Sequence, residues 1–367
     1  MKVISQSVIY ENPLPQLRSR HSVFPNLCET ADGTLLACHS ISEAFESVDG
    51  TSYISRSHDG GRIFGKPEKM FTKSPEYAIF SDTCKITRLK DGRIAALGYA
   101  FDRTNPELPI GNPDTGGLLE NIIFISFSED NGKTWSQWQT IDCSWGRHVE
   151  VSAPLSVLKS GAWVTPITGF SAWDGTKTGQ NCGRILRSDD DSRHWSDDTI
   201  CMAFEDADIT CYEQRLCQLD SGAVVVIGWN ENTRTGERLK NHFTISYDDA
   251  RTFSEPKSTG IAGQASSLCA LGGEKLLALH AVRRDTQNPG IYGYLVDLSR
   301  GEWNIQDELL IWEPAMPVVK NTRMAEIFSF LKFGQPSAIK MSDGTIMMSH
   351  WCEEQGQCKT LATRIEL

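Results

Sequence analysis

The sequence has little of what marks several large protein classes. No apolar run approaches the roughly 18 residues that a membrane-spanning helix needs, so no membrane association is expected. Basic residues are outnumbered, 36 Lys and Arg against 47 Asp and Glu, for a formal net charge of −11. A chain of that sign lacks the basic face that nucleic acid or an anionic lipid surface attracts. There is no CxxC pair, and the 8 histidines are scattered without HxxxH or HExxH spacing, so no metal site and no cofactor are expected. Helical periodicity is absent apart from short connectors, and the first residues, MKVISQSVIYENPLPQ, alternate like a strand instead of forming a signal peptide.

Cysteine, in contrast, is plentiful. The 11 thiols form an odd count and mostly fall inside apolar strand-like runs such as Leu27-Cys28 and Ala37-Cys38. Reduced, buried thiols in a cytoplasmic protein are the expectation, not a disulfide framework.

What the chain has most of is repetition. Ser57-His-Asp59-Gly-Gly61-Arg-Ile-Phe64 returns as Ser128-Glu-Asp130-Asn-Gly132-Lys-Thr-Trp135, then more weakly around Asp190 and Asp248, with Ser192 and Ala250 in the glycine position. Each copy follows a strand-like run, and the chemistry is that of a turn. The Asp carboxylate folds onto backbone N–H groups, Gly tolerates positive φ, and the aromatic ring packs beneath. These residues are therefore structural. A second repeat interleaves with the first: strand, tight turn, strand, with the turn at Gly33, Gly92, Gly161, Gly222, Gly273 and Gly344. Six such hairpins, each joined to an outer hairpin, give about four strands per unit, the signature of a six-bladed β-propeller. The chain is thus expected to be all-β, one domain over residues 1–367, with blades beginning near 21, 80, 150, 210, 262 and 333. The last unit is one strand short, and the N-terminal strand is expected to complete it and close the ring.

Propeller sites lie on the axis, at the starts of the innermost strands. Nine residues before each turn glycine stand Phe24, Thr83, Ser152, Glu213, Gln264 and Gln335, with Asp82 and Tyr212 beside them. Polar side chains at strand starts that would otherwise be apolar point to a wet axial funnel.

The interleaved Asp-boxes and six hairpins resemble the sialidase (neuraminidase-like) superfamily over nearly the whole chain. The resemblance implies that Glu213, in Tyr212-Glu213-Gln-Arg-Leu, corresponds to the Glu that activates a nucleophilic Tyr. It also implies that the acid/base residue lies in the first-blade loop, which offers Glu43, Glu46 and Asp49, with Glu46 and Asp49 favoured. Three marks of the family depart here. Val23 stands where its first arginine belongs, its second arginine register falls on Gly228-Trp229, and the last blade begins Phe333-Gly-Gln335 without a Tyr. Three arginines clamp the carboxylate of a sialic acid, so ordinary sialidase cleavage is not the expectation.

The expected activity is instead glycoside hydrolysis of a small saccharide, including one with an acidic sugar, by a carboxylate pair. Glu46 or Asp49 supplies one carboxyl, and Asp82, Glu150 with His148, or Glu213 supplies the other. Arg20, His21, His148, Glu150, Tyr212, Gln264, Arg284 (with Arg283 as its alternative for a third family arginine) and Gln335 are the candidate substrate contacts. Two alternatives stay open: a catalytically silent carbohydrate-binding or interaction propeller, and a sugar lyase in which His148 or a Tyr acts as base. The insertion Phe101 to Glu120, with its Pro and Gly residues, reads as a lid or an interface, and Trp145 as either a sugar platform or a core residue.

Overall fold

The turns set the architecture. In the computed structural model, which describes residues 1–284, 286–315 and 332–367, all six hairpin glycines have positive φ, from 57° at Gly273 to 98° at Gly161. Each turns an inner strand back on its neighbour. The result is six antiparallel sheets, mostly of four strands, arranged as blades of a propeller. The inner strands are His21–Glu29, Phe80–Arg88, Tyr212–Gln218, Gln264–Gly272 and Phe333–Lys340, and blade 3 begins with two short pieces, Val149–Glu150 and Ser156–Val157. Pro154 lies in that break and has no N–H to give to a ladder. The observed blade starts fall within two residues of the expected ones.

Closure comes from the N-terminus. Lys2–Tyr10 pairs antiparallel with Gln357–Glu366, from Lys2 opposite Glu366 to Tyr10 opposite Thr360, so the first strand becomes the outermost strand of blade 6. The Met1 ammonium adds a 2.7 Å ion pair with Asp307 on blade 5.

The Asp-boxes are the outer turns. In the first, Asp59 Oδ1 accepts the Arg62 and Ile63 N–H groups at 3.0 Å each, and Ser57 Oγ accepts the Gly61 N–H at 2.8 Å. The boxes at Asp130, Asp190 and Asp248 repeat the Ser and Asp bonds. Apolar layers fill the space between blades. Cys38, Met70, Cys84 and Phe124 form one of them between blades 1 and 2, with Trp138 stacked on Phe124 at 4.1 Å. All 11 cysteines are unpaired, and each is buried except the half-buried Cys143. No helix among the described residues is long and apolar enough to cross a membrane.

Candidate functional site on the propeller axis

The inner strands are not regular where they reach the axis. Phe24, Glu213, Ala265 and Gln335 have left-handed backbone, with φ of 56°, 42°, 53° and 42°. At each point the ladder slips, between Val23 and Asn26, Tyr212 and Arg215, Gln264 and Ser266, and Gly334 and Ser337. In blades 1, 4 and 6 the left-handed residue stands nine before the turn glycine, and in blade 5 it falls one later. L-residues in this conformation cost roughly 1–2 kcal/mol each, and such a bulge re-aims a side chain. Here it brings Phe24, Glu213, Gln264 and Gln335 to the wall of one axial cavity.

Buried charged side chains on an adjacent blade pin three of these bulges. Lys85 Nζ on blade 2 donates to the Phe24 carbonyl at 2.6 Å. Glu150 Oε2 on blade 3 accepts the Glu213 N–H at 3.0 Å. Arg215, two residues on, reaches back to Ser152 Oγ at 2.7 Å. Arg283 on blade 5 donates from Nη1 to the Phe333 carbonyl at 2.6 Å and from Nε to Gln264 Oε1 at 3.1 Å. Burial dominates their acidities. It lowers Lys85 to about 7, with Arg215 adding to the effect, and lowers Arg283 to about 10. It raises the Glu150 carboxyl to about 7, helped by the neighbouring Glu213 carboxylate. Glu150 Oε1 is buried without a partner. Tyr99, on the second strand of blade 2, is pushed well above an ordinary phenol by burial and by Glu150 and Glu213.

The cavity measures about 370 Å³. Glu213 Oε2 accepts the Trp229 Nε1–H at 2.7 Å, and its Oε1 accepts the Gln335 amide. Across the ring, Glu46 Oε1 accepts the Gly111 N–H at 3.0 Å, and burial raises its carboxyl above the usual carboxylate range. Gly111 belongs to the 101–120 insertion, which covers one side of the cavity with Pro109 to Pro113, Gly116 and Leu118. That loop is tied down twice. Arg103 donates to the Glu46 and Leu108 carbonyls at 2.9 Å each. On blade 3, Asn112 Nδ2 and Thr115 Oγ1 donate to the Trp173 carbonyl at 2.8 and 2.7 Å.

Of the residues singled out in the sequence, Glu46, Asp82, Glu150, Tyr212, Glu213, Gln264 and Gln335 line this cavity, and Arg20, His21, Asp49, His148 and Arg284 do not. Asp49 is a loop brace, accepting the Glu43 N–H at 2.9 Å and the Ser47 hydroxyl. Arg20 lies 3.5 Å from both Glu43 and Asp49 on that outer side. Asp82 borders the cavity, but its carboxylate is wholly buried: Oδ1 pairs with Lys73 at 2.6 Å and accepts Thr51 Oγ1, and Oδ2 accepts the Ser52 N–H. Arg284 is engaged with Glu231 at 3.2 Å. His21 is half-buried, and its titration is lowered by burial against the opposing pull of Glu353. His148 sits in the turn before Val149, its Nδ1 buried without a partner. Trp145 is a core residue, packed in the layer between blades 2 and 3 with the Arg184 guanidinium 5.0 Å from its ring.

Lys85, Arg215, Tyr99, Trp229 and the choice of Arg283 over its neighbour escaped the sequence reading. A signal existed for two of them. Lys85 and Arg215 each lie two residues after the axial position inside a β-strand, and both are buried, where a cation is unusual unless paired.

No protein-family model matches the sequence, and no curated protein matches it either. Among solved structures, the chain is similar to a protein of unknown function from Dyadobacter fermentans, with TM-score 0.76 and 16% identity over 100% of this chain and 99% of that one. The Hadza microbial sialidase Hz136 superposes with TM-score 0.66 at 15% identity, covering 94% of this chain. The Trypanosoma rangeli sialidase, solved with the inhibitor DANA, gives TM-score 0.64 at 12% identity over 95% of it. The chain has the sialidase propeller fold. It spans 65% of the length of the first of these sialidases and 55% of the second.

Proposed function

We propose that this sialidase-fold propeller hydrolyses the glycosidic bond of a small saccharide seated in the axial cavity. One observation carries the reading: Glu46 from blade 1 and Glu213 from blade 4, opposite blades of a six-blade ring, line the same axial cavity. Glycoside hydrolysis needs an acid at the leaving oxygen and a carboxylate across the sugar ring. Glu46, which burial keeps protonated to higher pH than an ordinary carboxyl, is the acid. Glu213, oriented by Trp229 and Gln335, is the opposing carboxylate. Gln335 is the last-blade partner of Glu213, where the resemblance expects a Tyr. Phe333 is buried against Trp312, 5.0 Å between ring centroids. The reaction proposed here therefore runs on carboxyl groups.

A binding-only reading has its own support, because both Glu213 oxygens already accept hydrogen bonds, as a fixed recognition group does. Turnover separates the two. Release of the aglycone from a panel of chromogenic glycosides is expected for the native protein, with a loss of about 10²–10⁴-fold in Glu46→Gln and in Glu213→Gln. Saccharide binding with no release from any glycoside would sink hydrolysis and leave binding.

A further inference from the structure

We infer that the cavity selects a neutral sugar bearing a methyl or acyl group and discriminates against a sugar carboxylate; this rests on the saccharide reading above. Cations are scarce at this cavity. Among the described lining residues, four carry carboxyl groups, Glu46, Asp82, Glu150 and Glu213, and one carries a guanidinium, Arg283. Recognition of a carboxylate is strongest through a paired set of guanidinium N–H groups. Arg283 already donates from Nε to Gln264 and from Nη1 to Phe333, so two of its three nitrogens are engaged. The other described cations near the axis are no better placed. Lys85 holds the Phe24 and Pro25 carbonyls, Arg215 holds Ser152 and the Gln214 carbonyl, and neither lines the cavity. Lys73 is paired with Asp82.

The wall between blades 6 and 1 is apolar. Val23, Phe24, Phe45 and Trp351 form one apolar cluster and all line the cavity. Phe45 stands edge-on to Phe24 at 5.3 Å and tilted against Trp351 at 5.8 Å. Ile110 and Leu118 of the insertion line the same cavity. A hydroxyl buried against such a surface loses water without gaining a partner, and a carboxylate loses far more. A methyl group there gains instead, about 0.8 kcal/mol per buried carbon, or roughly fourfold in affinity.

The test is a series that changes one substituent. Methyl glycosides of D-fucose, D-galactose and D-galacturonic acid differ only at C6, which is methyl, hydroxymethyl and carboxylate. The D-quinovose, D-glucose and D-glucuronic acid series repeats this on the other C4 configuration, and N-acetylglucosamine and N-acetylneuraminic acid test an acyl group without and with a carboxylate. Binding to the native protein is read by calorimetry, and release of methanol is read separately. The expected order is methyl tighter than hydroxymethyl by at least about fourfold, and either tighter than carboxylate by tenfold or more. Tightest binding by galacturonate, glucuronate or N-acetylneuraminate overturns the inference while leaving hydrolysis standing. Binding in the expected order without methanol release supports the inference and counts against hydrolysis. No saccharide binding at all overturns both.

Discussion

Left-handed backbone occurs both in the rim turns and on the axis of this propeller, and the two places treat the strain differently. On the rim, the Asp-box turns fill that position with Gly61 and Gly132 and, in the later copies, with Ser192 at φ 68° and Ala250 at φ 62°. Glycine is the cheap choice, and the copies that lack it hold a strain that serves no visible purpose. On the axis, the left-handed positions are Phe24, Glu213, Ala265 and Gln335, none of them glycine. Three of these carry large side chains into the cavity, and buried charged side chains on an adjacent blade hold their bulges in place. Strain kept where glycine would relieve it, at positions whose side chains converge, is the pattern of a functional site.

The sharpest way to break this comparison is to remove chemistry without touching backbone. Glu213→Gln keeps the side chain's length and the left-handed φ. It is expected to cost about 10²–10⁴-fold in turnover while the melting temperature stays close to that of the native protein. A large fall in stability with intact turnover would make Glu213 a scaffold residue. Next in size is the insertion that walls the cavity. A Cβ at Gly117 would lie 1.8 Å from the Ala172 carbonyl oxygen, so Gly117→Ala has to push the loop off blade 3. It should lower stability by about 1–3 kcal/mol and weaken saccharide binding, both measurable by thermal melts and calorimetry.

A smaller effect should appear at the pin beneath Glu213. The folded state raises the Glu150 carboxyl to about 7, above its value in the unfolded chain. Its stabilising contribution is therefore full at pH below the ordinary carboxylate range and is lost as pH rises through about 7. Glu150→Gln keeps an acceptor for the Glu213 N–H and removes the titration. Its stability relative to the native protein, read from melts at each pH, should climb between pH 5 and 8 by on the order of 1–3 kcal/mol. A flat difference across that range would contradict it. The smallest change belongs to the rim. Ser192→Gly relieves a left-handed serine that contributes little by burial, and should stabilise by ~0.5–1 kcal/mol with turnover unchanged.

Repetition made the fold legible. Gly33 and its five counterparts mark every inner hairpin, and the strand deficit after Phe333 pointed correctly to Lys2–Tyr10 as the closing strand. The same register placed Glu213, Gln264 and Gln335 on the axis, because a propeller converts equal offset in sequence into equal position in space. Residues set by loops or by contacts between blades were harder to read. Nothing in Ser42–Gly50 separates Glu46, which meets Gly111 sixty-five residues away, from Asp49, which braces its own loop. Arg283 and Arg284 are adjacent in sequence, yet one faces the axis and the other Glu231. Asp82 illustrates the converse: its position borders the cavity, but Lys73, Thr51 and Ser52 fold around its carboxylate.

The central claim is that a sugar sits on the axis between Glu46 and Glu213. A crystal structure of the Glu46→Gln protein soaked with the tightest-binding glycoside of the C6 series tests it directly. One sugar is expected in the axial cavity, its glycosidic oxygen within about 3 Å of the residue 46 side chain and its apolar substituent against Phe45 and Trp351. A saturating soak that leaves only water on the axis, or a sugar bound elsewhere on the propeller, would contradict it.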